Sequence, residues 1–383
     1  MEHRIITTYE EFLQLRDPWR ELHRQANGSL FQMHDWLAPW WKYYGAGRLL
    51  SVETWWNDAL LVGILPGFIE QKRLGAVSLR RMSLLGEEEV YGEYSPLVVQ
   101  EFSEAAAESS AAHWVGALRS GTADLLDFHG FPPESAFMRL FIASLRAGAY
   151  VRFVPQNLPH TMVEGATSGE EYLKLLSKRR RQGLQRHDRL LKKAGAEVEV
   201  VRDWGGGGHF ADLVRLHQVR WERDGEPGRF GSPRFTEFLR NVTEHLMSEG
   251  KARIYFMCSA GERIAALLSF DVNLQNCQYL VGRNPHHELM RYSVGEVLAM
   301  RAFVDAFDEG ARSSDLLGGD YQYKYYKGMT RRWYARATAI PAGVRGLKGA
   351  LYWGALDTRD TLTRLKRTFV HPTFDNRQDP EQP

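Results

Sequence analysis

The stretch YSVGEVLAMRAFVDAFDEGARSSDLLGGDYQYKYYKG, from Tyr292 to Gly328, decides the fold. Apolar residues recur in it at helical spacing from Val297 to Phe307, which predicts an amphipathic helix. Ser293 and Glu296 have the spacing of a capping box at the start of this helix, and Gly310 is a typical end signal. The short apolar run SDLL that follows predicts a strand.

The segment after that strand, Gly318 to Lys327, is dense in glycine, tyrosine, lysine and aspartate. This mixture is too polar for an ordinary core and too aromatic for an ordinary turn. We therefore predict that the chemistry of the protein takes place here.

Length and composition indicate a soluble globular protein of two domains. The chain has 383 residues, of which 44% are hydrophobic and 25% charged, and it exceeds the usual size of a single core. Its net charge of +2 does not make nucleic acid or an anionic membrane the expected main partner, although local patches can still act. The chain start lacks a secretory pattern, and the longest apolar run is too short to span a bilayer. The cytoplasm is the expected compartment.

Cysteine and histidine usage argues against a disulfide framework and against a metal cofactor. Cys258 and Cys277 lie far apart in strand-like runs and form no CxxC pattern. The histidines show no HxxxH spacing on a helix, and the adjacent His286 and His287 point in different directions. Because neither cysteine has a nucleophile context, we expect no covalent enzyme intermediate.

The two halves of the chain repeat one order of elements. The first half predicts a hairpin (VETWW, ALLVGILPGFI), a helix from Glu101 to Leu118 and the strand ADLLDF. The second half predicts a hairpin (RIYFM, RIAALLSFDV), a helix from Val294 to Asp308 and the strand SDLL. Duplication of one α+β unit is the simplest account, and chance agreement of common elements is the alternative. The predicted ranges are 1–155 and 156–344, with a helix and polar tail in 345–383.

Two further helices have patterns with two interpretations each. Aromatic residues, among them Trp36, recur at helical spacing in FQMHDWLAPWWKYYG, which favours a core face over substrate stacking. The predicted helix from Ser168 to Lys193 carries eight basic residues, so it is a solvated flank or attracts an anionic substrate or RNA. The last helix, from Arg345 to Val370, packs on the body or on a second copy, with a membrane surface as a further alternative.

Taken in order, these motifs resemble the GNAT superfamily of N-acetyltransferases. The closer resemblance is to the branch called CelD-like or cellulose-biosynthesis acetyltransferases, which has two GNAT-like halves. The similar motifs are FQMHDWLAPWW, SKRRRQGLQRHDRLLKKAG, LHQVRW, YSVGEVLAM and DLLGGDYQYK, and they extend from about Phe31 to Arg336. Fem-type aminoacyltransferases, which use aminoacyl-tRNA, share this architecture. The resemblance implies an α+β fold of two tandem units, each a mixed and mostly antiparallel sheet flanked by helices.

The resemblance also implies that an acyl-CoA pyrophosphate binds at the start of the Val294 helix. The matching positions are Arg291, Ser293, Val294 and Gly295, although one glycine stands where the family motif has two. A helix N-terminus offers free N–H groups and partial positive charge to an anion. Glu296 argues the other way, because a capping carboxylate would satisfy an amide and repel phosphate.

Transfer of an acyl group to an amine needs a group that removes the amine proton. Asp320 is the first candidate for this base; Tyr323 is a candidate proton donor to the leaving thiolate, and Lys324 is a candidate contact for an anionic substrate. The alternative is that these three side chains form a polar cap on the sheet. His217 could be the base instead, since an imidazole titrates near neutral pH, or it could be structural.

The remaining predicted substrate contacts are Tyr279, Arg283, Trp221 and Trp36. The predicted function is direct acyl transfer from acetyl-CoA or another acyl-CoA to an amine of a small-molecule, sugar or amino-acid acceptor. The alternatives are aminoacyl transfer from aminoacyl-tRNA, in which the basic helix would contact tRNA, and a degenerate unit that only binds ligands. A second copy of the chain is a further candidate partner.

Overall fold

The computed structural model describes residues 1–90, 96–155, 160–223, 225–318 and 328–370. The strands in this part of the chain are β1 Glu2–Ile6, β2 Leu49–Asn57, β3 Leu60–Leu74, β4 Val77–Leu84, β5 Leu97–Val98, β6 Leu125–Phe131, β7 Ala149–Pro155, β8 His160–Glu164, β9 Ala196–Val201, β10 Ala252–Ser259, β11 Glu262–Val272, β12 Gln275–Arg283, β13 Ser313–Gly318, β14 Met329–Arg332 and β15 Ala335–Pro341. The α-helices are α1 Tyr9–Gln14, α2 Arg16–Gln25, α3 His34–Tyr44, α4 Ser103–Ser120, α5 Ala136–Leu145, α6 Gly169–Leu175, α7 Lys178–Lys193, α8 Gly208–Arg223, α9 Pro233–Ser248, α10 Val294–Asp308 and α11 Leu347–Val370.

Two mixed sheets organise the molecule. The first has the order β1-β2-β3-β4-β6-β15-β7, with β5 paired to β3, and the second has the order β14-β8-β13-β12-β11-β10-β9. Within the described residues each sheet has one parallel contact, β4 with β6 and β12 with β13, and its other pairs are antiparallel. Helix α4 connects the first parallel pair and α10 connects the second, as a parallel crossover requires.

The two sheets have equivalent strand orders if the first is counted from β1 and the second from β9. In both units the sixth position is filled by the strand that follows the other unit in the chain. Strand β15 lies between β6 and β7, and β8 lies between β13 and β14. The predicted α+β fold of two units, each a mostly antiparallel mixed sheet flanked by helices, is therefore confirmed, and the units exchange one strand each.

This exchange changes how the predicted ranges map onto the structure. Residues 335–341, which the sequence analysis assigns to the second domain, lie in the first sheet. Residues 160–164 lie in the second sheet. Helix α11 also packs on the first unit, since Tyr352 and Leu356 contact Leu79 and Leu125.

A tight hairpin turn and two apolar strands, β10 and β11, form the centre of the second sheet. The β10–β11 turn has positive φ at Ala260 and Gly261, which fits the twist of a tight antiparallel hairpin. Strands β10 and β11 are buried almost throughout, because α8 and α9 cover one face and α10 covers the other. Helix α10 thereby holds its N-terminus at a fixed place beside β12.

One apolar core joins the two units. Trp36 of α3 is fully buried, and its ring packs edge-on against Phe238, Phe270 and Tyr279 of the second unit. The aromatic helix is therefore a core face, as its spacing favours, and Trp36 as a substrate contact is corrected, because the ring has no exposed surface. Among the described residues, no helix has both the length and the apolar character needed to cross a membrane.

Candidate active site

The predicted capping box at the start of α10 is wrong. Ser293 has φ 51° and ψ 44°, which is left-handed backbone, and its side chain caps no amide of the helix. Capping by serine normally requires an extended backbone at that residue. Glu296 does not cap the helix either; its carboxylate pairs with Arg180 of α7 at 2.9 Å.

The consequence is a helix end with open donors. The amides of Glu296 and Val297 both donate to the carbonyl of Ser293, at 2.9 and 3.1 Å. The amides of Val294 and Gly295 have no acceptor within the described parts of the chain. Two N–H groups without an acceptor among the described residues therefore lie together at the positive end of a helix of 15 residues.

Basic side chains surround this helix end. The short 3₁₀ helix Glu288–Tyr292 precedes it and packs on α7. Arg291 is exposed and lies over the ring of Tyr292, while Lys178 and Arg179 are exposed at the start of α7. Since Arg180 neutralises Glu296, the carboxylate that argued against an anion here is paired, and the local charge favours an anion.

The segment from Ser168 to Lys193, predicted as one basic helix, forms the two helices α6 and α7. The helix is interrupted at Leu176 and Ser177, where Leu176 has an extended backbone. Ser177 then caps α7 by accepting from the amide of Arg180. The break turns α7 so that Arg180 reaches α10. Most of the remaining basic side chains of α7 are exposed, including Arg186, Arg189, Lys192 and Lys193.

Strands β12 and β13 diverge beside the N-terminus of α10, and the gap between two such diverging strands is called a parting below. They pair only at Gln275–Cys277 with Ser313–Asp315, and Ser314 Oγ donates to Asn276 at 2.7 Å at the base of the pair. Beyond this point β13 follows β8, helped by the positive φ of Leu317. The length of β12 from Gln278 to Gly282 therefore pairs with β11 on one side, and its other edge has no strand partner in the described residues.

In the first unit the corresponding parting is filled by charged side chains. Strands β4 and β6 pair only at Arg81 and Met82. Beyond them Ser83 donates to the carbonyl of Asp127 at 2.8 Å, and His129 lies 3.1 Å from Glu87. The buried Arg81 binds Glu87 and Asp127, so charged side chains occupy the place that corresponds to the gap between β12 and β13.

Arg81 and Arg336 lower the pKa values of the carboxyl groups in this network. Burial alone would raise the pKa of Asp127, but Arg336 and Arg81 outweigh it and hold that pKa below its usual range. Burial likewise opposes Arg81 at Glu87, where the net effect also lowers the pKa. The carboxylates are therefore charged and fully engaged at neutral pH.

His217 is buried on α8 with both ring nitrogens engaged. Trp221 Nε1 donates to His217 Nε2 at 2.9 Å, so Nδ1 carries the proton and donates to Gln218 Oε1 at 3.2 Å. Burial lowers the pKa of His217 to about 4. The lone pair that a general base needs is thus occupied, and the arrangement supports the structural role over the predicted base.

The other predicted substrate contacts are dispersed. The hydroxyl of the buried Tyr279 donates to the carbonyl of Val90 at 2.7 Å, which joins the two units. Trp221 is half-buried beside Arg220, and Arg283 is half-buried at the end of β12. Only Arg283 of these lies on the parted length of β12 with a partly exposed side chain. Asp320, Tyr323 and Lys324 lie outside the described residues.

One cluster of metal-type ligands occurs among the described residues. Donor atoms of Asp35, His245 and Glu249 lie within 4.8 Å of one another. Arg16 and Arg20 also bind Asp35, at 3.0 and 2.8 Å. The protein's own guanidinium groups thus supply the positive charge there, between α2, α3 and α9.

Comparisons with known proteins agree with this architecture. Residues 178–325 match the family model described as an acetyltransferase (GNAT) domain. The crystal structure of FemX superimposes with a TM-score of 0.59 at 13% identity, over 88% of this chain and 97% of that chain. L-PGS from Bacillus licheniformis gives a TM-score of 0.50 at 13% identity, over 88% and 94% of the two chains.

A conserved protein of unknown function from Bacteroides thetaiotaomicron VPI-5482 also gives a TM-score of 0.50, at 8% identity over 88% of this chain and all of that one. No curated protein sequence matches the chain. At these identities the structural likenesses show the fold alone. Residues 178–325 are therefore similar to an acetyltransferase (GNAT) domain, and the fold of the chain is similar to that of FemX over 88% of its length.

Proposed function

We propose that this protein transfers an acyl group from acyl-CoA to an amine of a small-molecule acceptor, and that the donor binds in the second unit. The observation that carries the proposal is the N-terminus of α10, where the amides of Val294 and Gly295 have no acceptor among the described residues and Glu296 is held by Arg180. Adjacent N–H groups at a helix N-terminus bind phosphate, which is the charged part of CoA.

The edge of β12 that faces away from β11 is suited to bind the part of CoA between its phosphates and its thioester. CoA links its phosphates to the thioester through a chain with two amide groups. The edge from Gln278 to Gly282, which has no strand partner among the described residues, offers backbone groups that can pair with those amides, as a strand would. The pyrophosphate site and this edge adjoin, so one extended ligand can use both.

The closed parting of the first unit supports one donor site rather than two. Arg81, Glu87 and Asp127 fill the place where a second donor would enter. Opening it would leave buried charges without partners, which costs several kcal/mol. The first unit therefore acts in this proposal as the wall of the acceptor side, reached through Val90 and Tyr279.

The proposed chemistry is direct transfer. The neutral amine attacks the thioester carbonyl, the carbon–sulfur bond breaks, and Asp320 takes the amine proton while Tyr323 protonates the departing thiolate. Lys324 would hold an anionic part of the acceptor. Direct transfer also fits Cys258, because burial raises the pKa of its thiol to about 11 and leaves it a poor nucleophile at neutral pH.

Calorimetric titration of acetyl-CoA and free CoA tests the donor site. Gly295→Glu places a carboxylate among the open amides, and a Cβ at Gly295 meets no atom within 4 Å, so the helix accommodates the change. Gly183→Glu on α7 is the matched control, since that position is equally open. We expect binding that Gly295→Glu abolishes, Arg291→Ala weakens and Gly183→Glu leaves unchanged.

Absence of binding of both ligands would overturn the proposal. Aminoacyl-tRNA is then the donor to test, because the resemblance to Fem-type enzymes implies an aminoacyl-tRNA donor. The exposed Lys and Arg side chains of α7 also offer a contact for a polyanion. Binding of tRNA should weaken steeply with salt, whereas a CoA site with few phosphate contacts should respond weakly. Replacing Arg186 and Arg189 by alanine should reduce that salt slope if α7 is the tRNA contact.

A further inference from the structure

We propose that the outer face of α11, with the turn that precedes it, binds the surface of an anionic lipid bilayer. Val344, Leu347 and Leu351 are 82%, 61% and 55% exposed. Their spacing of three and four residues places them on one side of the helix. An apolar stripe that faces solvent on a helix in a folded protein indicates an interaction surface.

The helix cannot turn this stripe inward, because its opposite face is attached to the first unit. Tyr352 is buried, and its hydroxyl donates to Asp127 Oδ2 at 3.1 Å. Trp353 and Leu356 pack in the same small cluster as Ile340. The outer stripe is therefore a stable feature of the folded surface.

An exposed aromatic side chain extends the stripe onto the sheet. Tyr150 of β7 is 62% exposed and lies directly opposite Ile340 in the antiparallel pair β15–β7. Direct partners point to the same face of a sheet, and Ile340 contacts α11 at Gly349. Tyr150 thus lies on the face of the sheet that carries α11. A tyrosine, with an apolar ring and a polar tip, suits the boundary between lipid and water.

Charge identifies the occupant as an anionic surface. Residues 345–370 contain six Lys or Arg and two Asp, a net charge of +4, whereas the whole chain has +2; the rest of the chain therefore sums to −2. Arg345 and Lys348 are exposed beside the stripe. A second copy packed on this face would bring Arg345 and Lys348 against like charges, but anionic headgroups attract each basic side chain by about 1 kcal/mol.

The geometry fits binding in the plane of the membrane. An amphipathic helix of this kind buries its apolar face about 5–10 Å into the headgroup region and does not span the bilayer. Asp357, which would oppose an anionic surface, pairs with Arg152 of the first sheet at 2.5 Å. The inference is independent of the donor site, because α11 lies on the first unit.

Vesicle sedimentation of the full chain tests the inference. The vesicles contain phosphatidylcholine alone, or equal parts of phosphatidylcholine and phosphatidylglycerol. The test variant is Leu347→Ser with Leu351→Ser, and the control is Leu60→Ser with Leu274→Ser, two leucines of similar exposure, 46% and 53%, in hairpins elsewhere. We expect the wild type and the control to bind the anionic vesicles and the test variant to bind at least about tenfold more weakly. Raising the salt to about 0.5 M should release the protein.

Three outcomes would overturn it. The wild type could stay in the supernatant with anionic vesicles, or the test variant could bind as well as the control. Analytical ultracentrifugation could also show a dimer that the test variant converts to a monomer, which would make the face an interface between copies. Circular dichroism of both double variants checks that their folds are intact.

Discussion

Asp127→Asn should be among the most destabilising single changes in the first unit. Asp127 is fully buried and accepts from Arg336 through both oxygens, at 2.7 Å each, and from Arg81 at 2.9 Å. Asparagine keeps the size of the side chain and one acceptor oxygen but removes the negative charge. The variant therefore leaves the buried Arg81 and the partly buried Arg336 without the carboxylate that they share.

The magnitude follows from burial. Removing one partner of a buried ion pair costs about 3–5 kcal/mol, because the remaining charge is uncompensated. The amide of asparagine still accepts one hydrogen bond, so we expect about 3 kcal/mol. Tyr352 also loses its charged acceptor, which should loosen α11 from the sheet.

Urea unfolding followed by tryptophan fluorescence measures this cost, and Asp357→Asn is the matched control. Asp357 binds Arg152 through both oxygens in the same way as Asp127 binds Arg336, but at the surface, and exposed pairs contribute little. A loss for Asp127→Asn no larger than that for Asp357→Asn would refute the reasoning, because burial would then have no effect on the pair.

The pH dependence supplies a second check on Asp127. Its pKa is lowered in the folded protein, so its contribution to stability is present above the unfolded value of about 3.9 and is lost as the pH falls below it. The stability difference between wild type and Asp127→Asn should therefore be constant from pH 8 to about pH 5 and should shrink in stronger acid.

Two further predictions concern α8 and the strand on which it packs. The pKa of His217 falls from 6.5 to about 4 in the folded state, so the wild type should lose up to about 3 kcal/mol of stability as the pH falls through that interval; His217→Gln should remove this loss, measured by urea unfolding at each pH. Gly282→Ala should cost about 1–3 kcal/mol, because a Cβ there would lie 2.6 Å from the amide nitrogen of His217 and 2.8 Å from the carbonyl carbon of Leu216; Gly295→Ala, which meets no atom, should cost nothing in the same thermal melt.

Local patterns in the sequence were sufficient for most of the elements. Helix α10 occupies Val294–Asp308, the predicted range, because its apolar face is regular and Gly310 follows it. The two strands with the letters DLL, β6 and β13, take the same place in their sheets, as a duplication predicts. Such features depend on residues close in sequence, and periodicity reports them directly.

The exchanged strands could not be predicted in this way. Strand β8 has only five residues and follows a proline-rich connection, and β15 has seven residues of mixed character. Nothing in their own patterns says which sheet they join, because strand pairing is decided by contacts between distant segments. The predicted C-terminal limit of the second unit therefore missed the return of residues 335–341 to the first sheet.

The candidate site shows a similar division between local and distant effects. The Ser293 and Glu296 spacing predicts a capping box, yet Arg180, more than a hundred residues earlier, binds Glu296 instead. The residues around His217 did not predict that Trp221 would donate to its Nε2. The only available signal was the spacing, since a tryptophan four residues later on a helix lies within reach. Trp36 is one of many aromatic residues on one helix face, and only the second unit, packed against it, shows that it is core.

The exchange also explains why a unit with a closed parting is retained. Strand β13 forms one wall of the parting in the second unit, and along its outer edge it pairs with β8, which follows the first unit in the chain. Strand β15 in return completes the first sheet, where Arg336 binds Asp127. Neither sheet is complete without the other half of the chain. The parting of β12 and β13, and with it the proposed donor site, therefore depends on a first unit whose own parting is filled.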